Sequence, residues 1–147
     1  MKHLLIIAAA ASLLGFAEPA LAQERMKTAE DTYKEIEATL GMTPGYMKAY
    51  PKTGIAGAWA MTKGVTMDPA NTLDPKMKSL IGIAVAAQIP CQYCVWLDTK
   101  MARKHGATEA EIAEAVAQAG LTRHWSTVIN GMQIDFETFK AEFGGDS

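Results

Sequence analysis

Cysteine is scarce in this 147-residue chain: there are two, Cys91 and Cys94. Two cysteines three positions apart exclude a disulfide-stapled mini-domain and any metal site built from four cysteines. Basic residues are not in excess either. Lys and Arg number 14 against 16 Asp and Glu, for a net charge of -2. That lacks the basic footprint of a nucleic-acid binder. Charged residues make up only 20% of the chain and hydrophobic ones 49%, which excludes a disordered polymer. Internal repeats and low-complexity tracts are missing. The length suits one domain and is too short for two ordinary ones.

What is present is unevenly spread, with much of the hydrophobicity in residues 1–22. Lys2 and His3 form a short basic start. Leu4 to Ala17 is an apolar run broken only by Ser12 and Gly15, and Ala20-Leu21-Ala22 supplies small residues ahead of Gln23. This is the three-part pattern of a secretory signal peptide. A spanning helix needs ~20 apolar residues, so a membrane anchor fits less well. Cleavage after Ala22 predicts a periplasmic or secreted chain of 125 residues, Gln23–Ser147, with no membrane association. In that setting the cysteine pair is expected to rest as a disulfide.

The remainder reads as all-α. Thr28 to Leu40 predicts a helix with Tyr33, Ile36 and Leu40 on one stripe and Gly41 as its C-terminal cap. A short helix follows from Thr43-Pro44 to Tyr50, ended by Pro51, and a third spans Thr53 to Met67. Asp68-Pro69-Ala70-Asn71 is a loop. Asp74-Pro75 opens a helix whose run from Leu80 to Ile89 is apolar except for Gly82 and Gln88, which predicts burial on most sides. Pro90 ends it. Cys91 to His105 begins afresh and stops at Gly106. Thr108 with Glu111 forms a capping box. Gly120 and Gly131 are expected to divide the rest of the chain into three helices, the last carrying Ile134, Phe136, Phe139 and Phe143. No stretch alternates with period two, so no sheet is expected.

Ile89-Pro90-Cys91-Gln92-Tyr93-Cys94 carries the chemistry. Cys91 is expected in the first turn of its helix, where unpartnered N–H groups and the dipole stabilise a thiolate and lower the thiol pKa from ~8.5. Cys94 lies one turn on, able to resolve a mixed species. Val95 stands where a c-type haem site needs histidine, and the βαβ context of a thioredoxin is missing. Zinc would need two further ligands, and only His105 and His124 remain in the mature chain, at no regular spacing. No metal or cofactor is therefore expected. A purely structural disulfide is the main rival. A loop this small yields little chain-entropy gain, which weighs against it.

Lys78 to Val116, with Ile-Pro-Cys-Gln-Tyr-Cys and then Gly106-Ala107-Thr108-Glu109-Ala110-Glu111-Ile112, resembles the alkylhydroperoxidase D-like / carboxymuconolactone decarboxylase superfamily, and within it the small exported members. The resemblance covers most of residues 53–130, and Thr122-Arg123-His124-Trp125-Ser126-Thr127 resembles the same subgroup. It implies an all-α helical bundle of about seven or eight helices on a helical hairpin, assembled as a homo-oligomer, a trimer or a hexamer. It also implies a dithiol at Cys91 and Cys94 that reduces a peroxide or another small-molecule substrate and is restored by a thiol or lipoyl-type reductant.

In the family a glutamate twelve positions before the first cysteine and a histidine four after the second form a proton relay. Those positions are Ser79 and Asp98 here. Ser79 is no base at neutral pH, and Asp98 becomes one only if burial raises its pKa above ~3.9. Tyr93 and His124 are the substitute relay candidates, each with a packing role as the plainer reading. His105 suits a helix C-terminus. The reading is an exported thiol oxidoreductase with peroxidase chemistry. Its alternatives are a non-redox enzyme of the carboxymuconolactone decarboxylase kind and a non-enzymatic relative with a structural disulfide.

Overall fold

The computed structural model describes residues 27–145, so the expected signal peptide lies outside the described residues. The described residues form seven α-helices and one π-helical turn, with no strand. Contacts divide the chain into two compact units, one ending at Ala56 and the other starting at Gly57.

In the first unit, α1 spans Ala29–Leu40. Thr28 caps its start by accepting the Asp31 N–H, and Gly41 ends it at φ 78, a left-handed conformation that suits glycine. Its buried face is Ala29, Thr32 and Ile36, whereas Leu40, expected on the stripe, is exposed. The short α2, Gly45–Ala49, lies between Pro44 and Tyr50.

The third helix is not one uniform α-helix. α3 covers Ile55–Thr62 and passes into a π turn over Lys63–Met67. The Asn71 side-chain amide closes that turn by donating to the carbonyls of Gly64 and Val65 at 2.8 and 3.1 Å. Side-chain capping from the loop thus satisfies carbonyls that the wider turn leaves open.

In the second unit, α4 (Pro75–Gln88), α5 (Gln92–Lys104) and α6 (Glu109–Gly131) pack on one another, with α4 touching both others. Asp74 caps α4 by accepting the Met77 N–H, with Pro75 in the first turn. The expected burial of α4 on most sides is not found. Ser79, Ile83 and Ala86 are buried, but Met77, Ile81, Val85 and Ile89 form an exposed stripe four residues apart. An apolar run shows that a helix wants cover on several sides, and it does not show that its own chain provides it.

Thr108 and Glu111 make both bonds of the capping box. Glu111 also accepts from Lys76 at 2.7 Å, tying α6 to α4. The Lys76 hydrogen bond, then the Thr108 N–H and hydroxyl, lower the Glu111 pKa to about 2. A carboxylate depressed in the folded state stabilises fully above its unfolded value and loses that contribution as pH falls through the folded one. Urea unfolding from pH 6 down to pH ~2 should therefore show a steeper loss of stability in the native chain than in Glu111→Gln.

Helix α6 runs through Gly120 without a break, contrary to the expected division there. A mid-helix glycine costs only ~1 kcal/mol relative to alanine, and neighbouring packing outweighs that. The Gln88 amide donates to the Ala119 carbonyl at 2.7 Å at this very point. Gly131 falls within the last turn, and α7 follows at Phe136–Glu142, capped by Asp135. Phe139 packs on Phe143 with ring centroids 4.9 Å apart, while Phe136 and Phe143 stay largely exposed.

Candidate active site

The turn between α4 and α5 places the cysteines. Ile89 donates its N–H to the Val85 carbonyl, and Pro90 prevents α4 from continuing. The Cys91 N–H then donates back to the Ala86 carbonyl at 3.0 Å, pinning the residue to the end of α4. Cys91 is the N-cap of α5, one position earlier than the first-turn placement expected from sequence. Its Sγ accepts the Cys94 N–H at 3.2 Å. The two cysteines are joined as a disulfide, with their Cα atoms 5.3 Å apart. Both are half-buried.

The two sulfur-bearing residues border different cavities. Cys91 lies at the edge of a groove of about 790 Å³ that runs along α5, past Gln92, Val95, Trp96 and Lys100 to Arg103. Cys94 borders a second cavity, also about 790 Å³, together with Ser79, Gly82, Asp98 and His105. The π turn contributes Gly64, Val65 and Thr66 to the wall of that second cavity.

Asp98 therefore shares a cavity with Cys94, one helical turn along α5. Its carboxyl lies against α4 where Gly82 has no side chain: a Cβ there would stand 2.6 Å from Asp98 Oδ2 and 2.8 Å from Cγ. Burial raises the Asp98 pKa above the ordinary carboxylate value, with no donor or cation offsetting it. An aspartate so held can take or give a proton nearer neutrality than a solvated one. Gly82→Ala should turn the carboxyl out of its slot. In an NMR titration of the side-chain carboxyl, the Asp98 midpoint is then expected to fall back toward the ordinary range, and an unchanged midpoint would show that the slot is not the cause.

Ser79 is 9% exposed, and its hydroxyl donates to the Pro75 carbonyl at 2.8 Å. That bond occupies the hydroxyl within its own helix, so Ser79 shapes the cavity of Cys94 without offering a base. Tyr93 is 78% exposed and borders neither cavity. His124 is exposed on α6, in an edge-on contact with Trp125 at 5.1 Å between centroids, and also borders neither. The chain thus joins Cys91 to Cys94, sets Asp98 in the Cys94 cavity, and leaves Tyr93 and His124 outside both cavities. His105 is the C-cap of α5, as its position beside Gly106 suggested, and its place in the Cys94 cavity was not anticipated. Lys100 and Arg103 were likewise missed, although their spacing of eight and eleven from Gln92 puts them on one helical face.

Among the described residues no three His, Cys, Asp or Glu side chains converge as a metal-ligand group, and no helix is long and apolar enough to cross a membrane.

A helical bundle with a Cys-x-x-Cys disulfide at a helix start defines an alkylhydroperoxidase D-like fold. The crystal structure of the alkylhydroperoxidase AhpD core from Rhodospirillum rubrum superposes with a TM-score of 0.65 at 28% identity, over 75% of this chain and 83% of that one. Residues 55–135 match the model of the carboxymuconolactone decarboxylase family, and the chain belongs to that family. The uncharacterized protein 4 in cox locus of Paracoccus denitrificans is 42% identical over 57 residues, which is 39% of this chain. The matched segment spans about half the length of that curated relative.

Proposed function

We propose that the protein is an exported thiol–disulfide oxidoreductase with peroxidase-type activity, working through Cys91 and Cys94. The observation that carries this reading is the disulfide itself, with Cys91 at the N-cap of α5 and each cysteine bordering its own cavity. Reduction of the bond frees a Cys91 thiolate that still accepts a backbone N–H and faces the positive end of α5. Two cations, Lys100 and Arg103, line the same groove, whereas the carboxyl of Asp98 lies on the Cys94 side. Cys91 is therefore the nucleophile and Cys94 the resolving thiol.

The chemistry then closes without a cofactor. The Cys91 thiolate attacks the terminal peroxide oxygen, the O–O bond breaks, the alkoxide takes a proton from solvent and leaves as an alcohol, and Cys91 becomes a sulfenic acid. Cys94 gives its proton to Asp98 and attacks the Cys91 sulfur. As the disulfide forms, the sulfenic hydroxyl is expelled, takes that proton back from Asp98 and departs as water. A donor thiol restores the pair. With a small disulfide as substrate, the same attack by Cys91 produces a mixed disulfide, which Cys94 resolves.

The exposed stripe Met77, Ile81, Val85 and Ile89 supports assembly as a homo-oligomer, a trimer or hexamer by family resemblance. The deciding experiment for the function is consumption of peroxide and of a small disulfide by the reduced protein against a Cys91→Ser/Cys94→Ser double variant. The reading requires the double variant to lose both activities. Equal rates would leave the disulfide a structural element. Turnover of a lactone or small acid that survives cysteine alkylation would shift the reading to the non-redox carboxymuconolactone decarboxylase kind.

A further inference from the structure

We propose that the cavity bordered by Cys94 binds a compact apolar monocarboxylate, an aryl acid or an acid of similar shape, with the carboxylate on Lys78 and the apolar body reaching toward Cys94. The site lies apart from the groove of Cys91, and the inference stands independently of the redox reading above.

A half-buried cation without a counter-charge carries the inference. Lys78 is half-buried on α4 and borders this cavity. Its Nζ donates to the Thr66 carbonyl of the π turn at 3.4 Å, a long bond. Among the described residues no carboxylate pairs with it, whereas Lys76, two positions earlier, is tied to Glu111 at 2.7 Å. The Asp98 carboxyl shares the cavity, yet burial moves its pKa upward with no cation offsetting it, so the Lys78 charge is not spent there. An ammonium with spare donors beside apolar surface is complementary to an anion with an apolar body.

The rest of the cavity sets the shape and charge of its occupant. Its volume of about 790 Å³ falls within the ~300–1,000 Å³ of small-molecule sites. Apolar walls come from three sides: Val65 and Leu73 from the π turn and the loop after it, Ile81 and Val85 from α4, and Met101 from α5. Walls so placed suit a branched or aromatic body better than a single extended chain. Lys78 stands one helical turn, ~6 Å along α4, before Gly82 and the slot of Asp98. Its side chain reaches back to Thr66, so an anion held there turns its body toward Asp98 and Cys94. A second carboxylate on that body would meet an apolar wall or the Asp98 carboxyl, and either contact is unfavourable. The cavity thus selects a single negative charge.

The test is an NMR titration of the disulfide-bonded protein with three probes, followed at the methyl groups of Ile81, Val85 and Met101. The probes are 4-tert-butylbenzoate, its neutral amide, and terephthalate, in which a second carboxylate replaces the tert-butyl group. The monoacid should bind about tenfold more tightly than either of the others, the scale of a charge-assisted hydrogen bond. Lys78→Gln should bring the monoacid down to the level of the amide, Lys78→Arg should keep most of the preference, and Lys100→Gln, in the other groove, should leave it unchanged. In the reduced protein the monoacid should slow alkylation of Cys94 and spare that of Cys91, read by mass spectrometry. Equal binding of acid and amide by the native chain overturns the proposal, whether or not the Lys78 variants fold. So does a preference lost in Lys100→Gln, or protection of Cys91 in place of Cys94. Each of these results leaves the redox reading standing, because none of them measures turnover.

Discussion

Cys94→Ser is expected to turn the protein from a turnover catalyst into a trap. The variant retains Cys91 at the N-cap of α5, with the helix start still stabilising its thiolate. It should attack a small disulfide once and stop as a mixed disulfide on Cys91, visible by mass spectrometry as one added donor. Steady-state activity should fall by at least ~10³-fold, as when one member of a catalytic unit is removed. Cys91→Ser should lose turnover to the same extent and form no stable adduct at Cys94. The asymmetry follows from position. The Cys91 Sγ accepts a backbone N–H and borders a groove with two cations, while Cys94 shares its cavity with the Asp98 carboxyl. The mirror pattern, with the adduct forming on Cys94 in Cys91→Ser, would reverse the roles assigned to the two thiols.

The second large effect is a gain. Ser79→Glu combined with Asp98→His places a carboxylate and an imidazole in the cavity of Cys94, at the positions where the resembled peroxidases carry theirs. Positioned acid–base groups contribute ~10²–10⁴-fold, so peroxide consumption should rise by about 10² in the double variant. Ser79 and Asp98 border the same cavity, so the two changes should act together and fall short singly. The imidazole gives Cys94 a base whose unperturbed pKa is ~6.5, closer to neutrality than that of a carboxylate. The first attack by Cys91, on a peroxide or on a small disulfide, should change far less, because it takes place in the other groove. A circular-dichroism melt separates a variant that fails to fold from one that fails to react. A folded double variant with no gain in peroxide consumption would mean that deprotonation of the resolving Cys94 does not limit peroxide turnover.

Between these two variants lies the present state of the site. Asp98 stands at the position of the resembled family's histidine, and its burial against Gly82 raises its pKa above the ordinary carboxylate value, the direction that the proposed relay requires. The carboxyl fits there because α4 presents a glycine at the point of contact, a feature that neither residue reveals alone. The same contact makes Gly82→Ala a probe of proton transfer at a position that touches neither cysteine directly.

The amino-acid sequence by itself determined the local framework. Thr28, Asp74, Thr108 and Asp135 start helices through bonds that span three residues, so their effect is written within a few positions of themselves. Pro90 and the cysteine spacing likewise placed the pair at a helix start, and the resembled family's spacing, counted from that pair, located Ser79 and Asp98. The family resemblance over residues 53–130 agrees with the matched segment 55–135. Features that depend on other segments were beyond reach. Gly120 looked like a break because glycine is locally unfavourable, yet the packing of α6 on α4 carries the helix through it. The apolar run of α4 looked buried on most sides, yet the stripe Met77, Ile81, Val85 and Ile89 stays exposed while α5, α6 and the π turn cover other faces. Tyr93 and His124 were chemically eligible as relay groups, but helix orientation sends both away from the cavities. Only the tertiary structure decided that the two cysteines border different cavities, one lined also by Lys100 and the other by Asp98. Spacing along a helix gives the angle between two side chains, and the charge that each one meets depends on what the neighbouring helix places opposite.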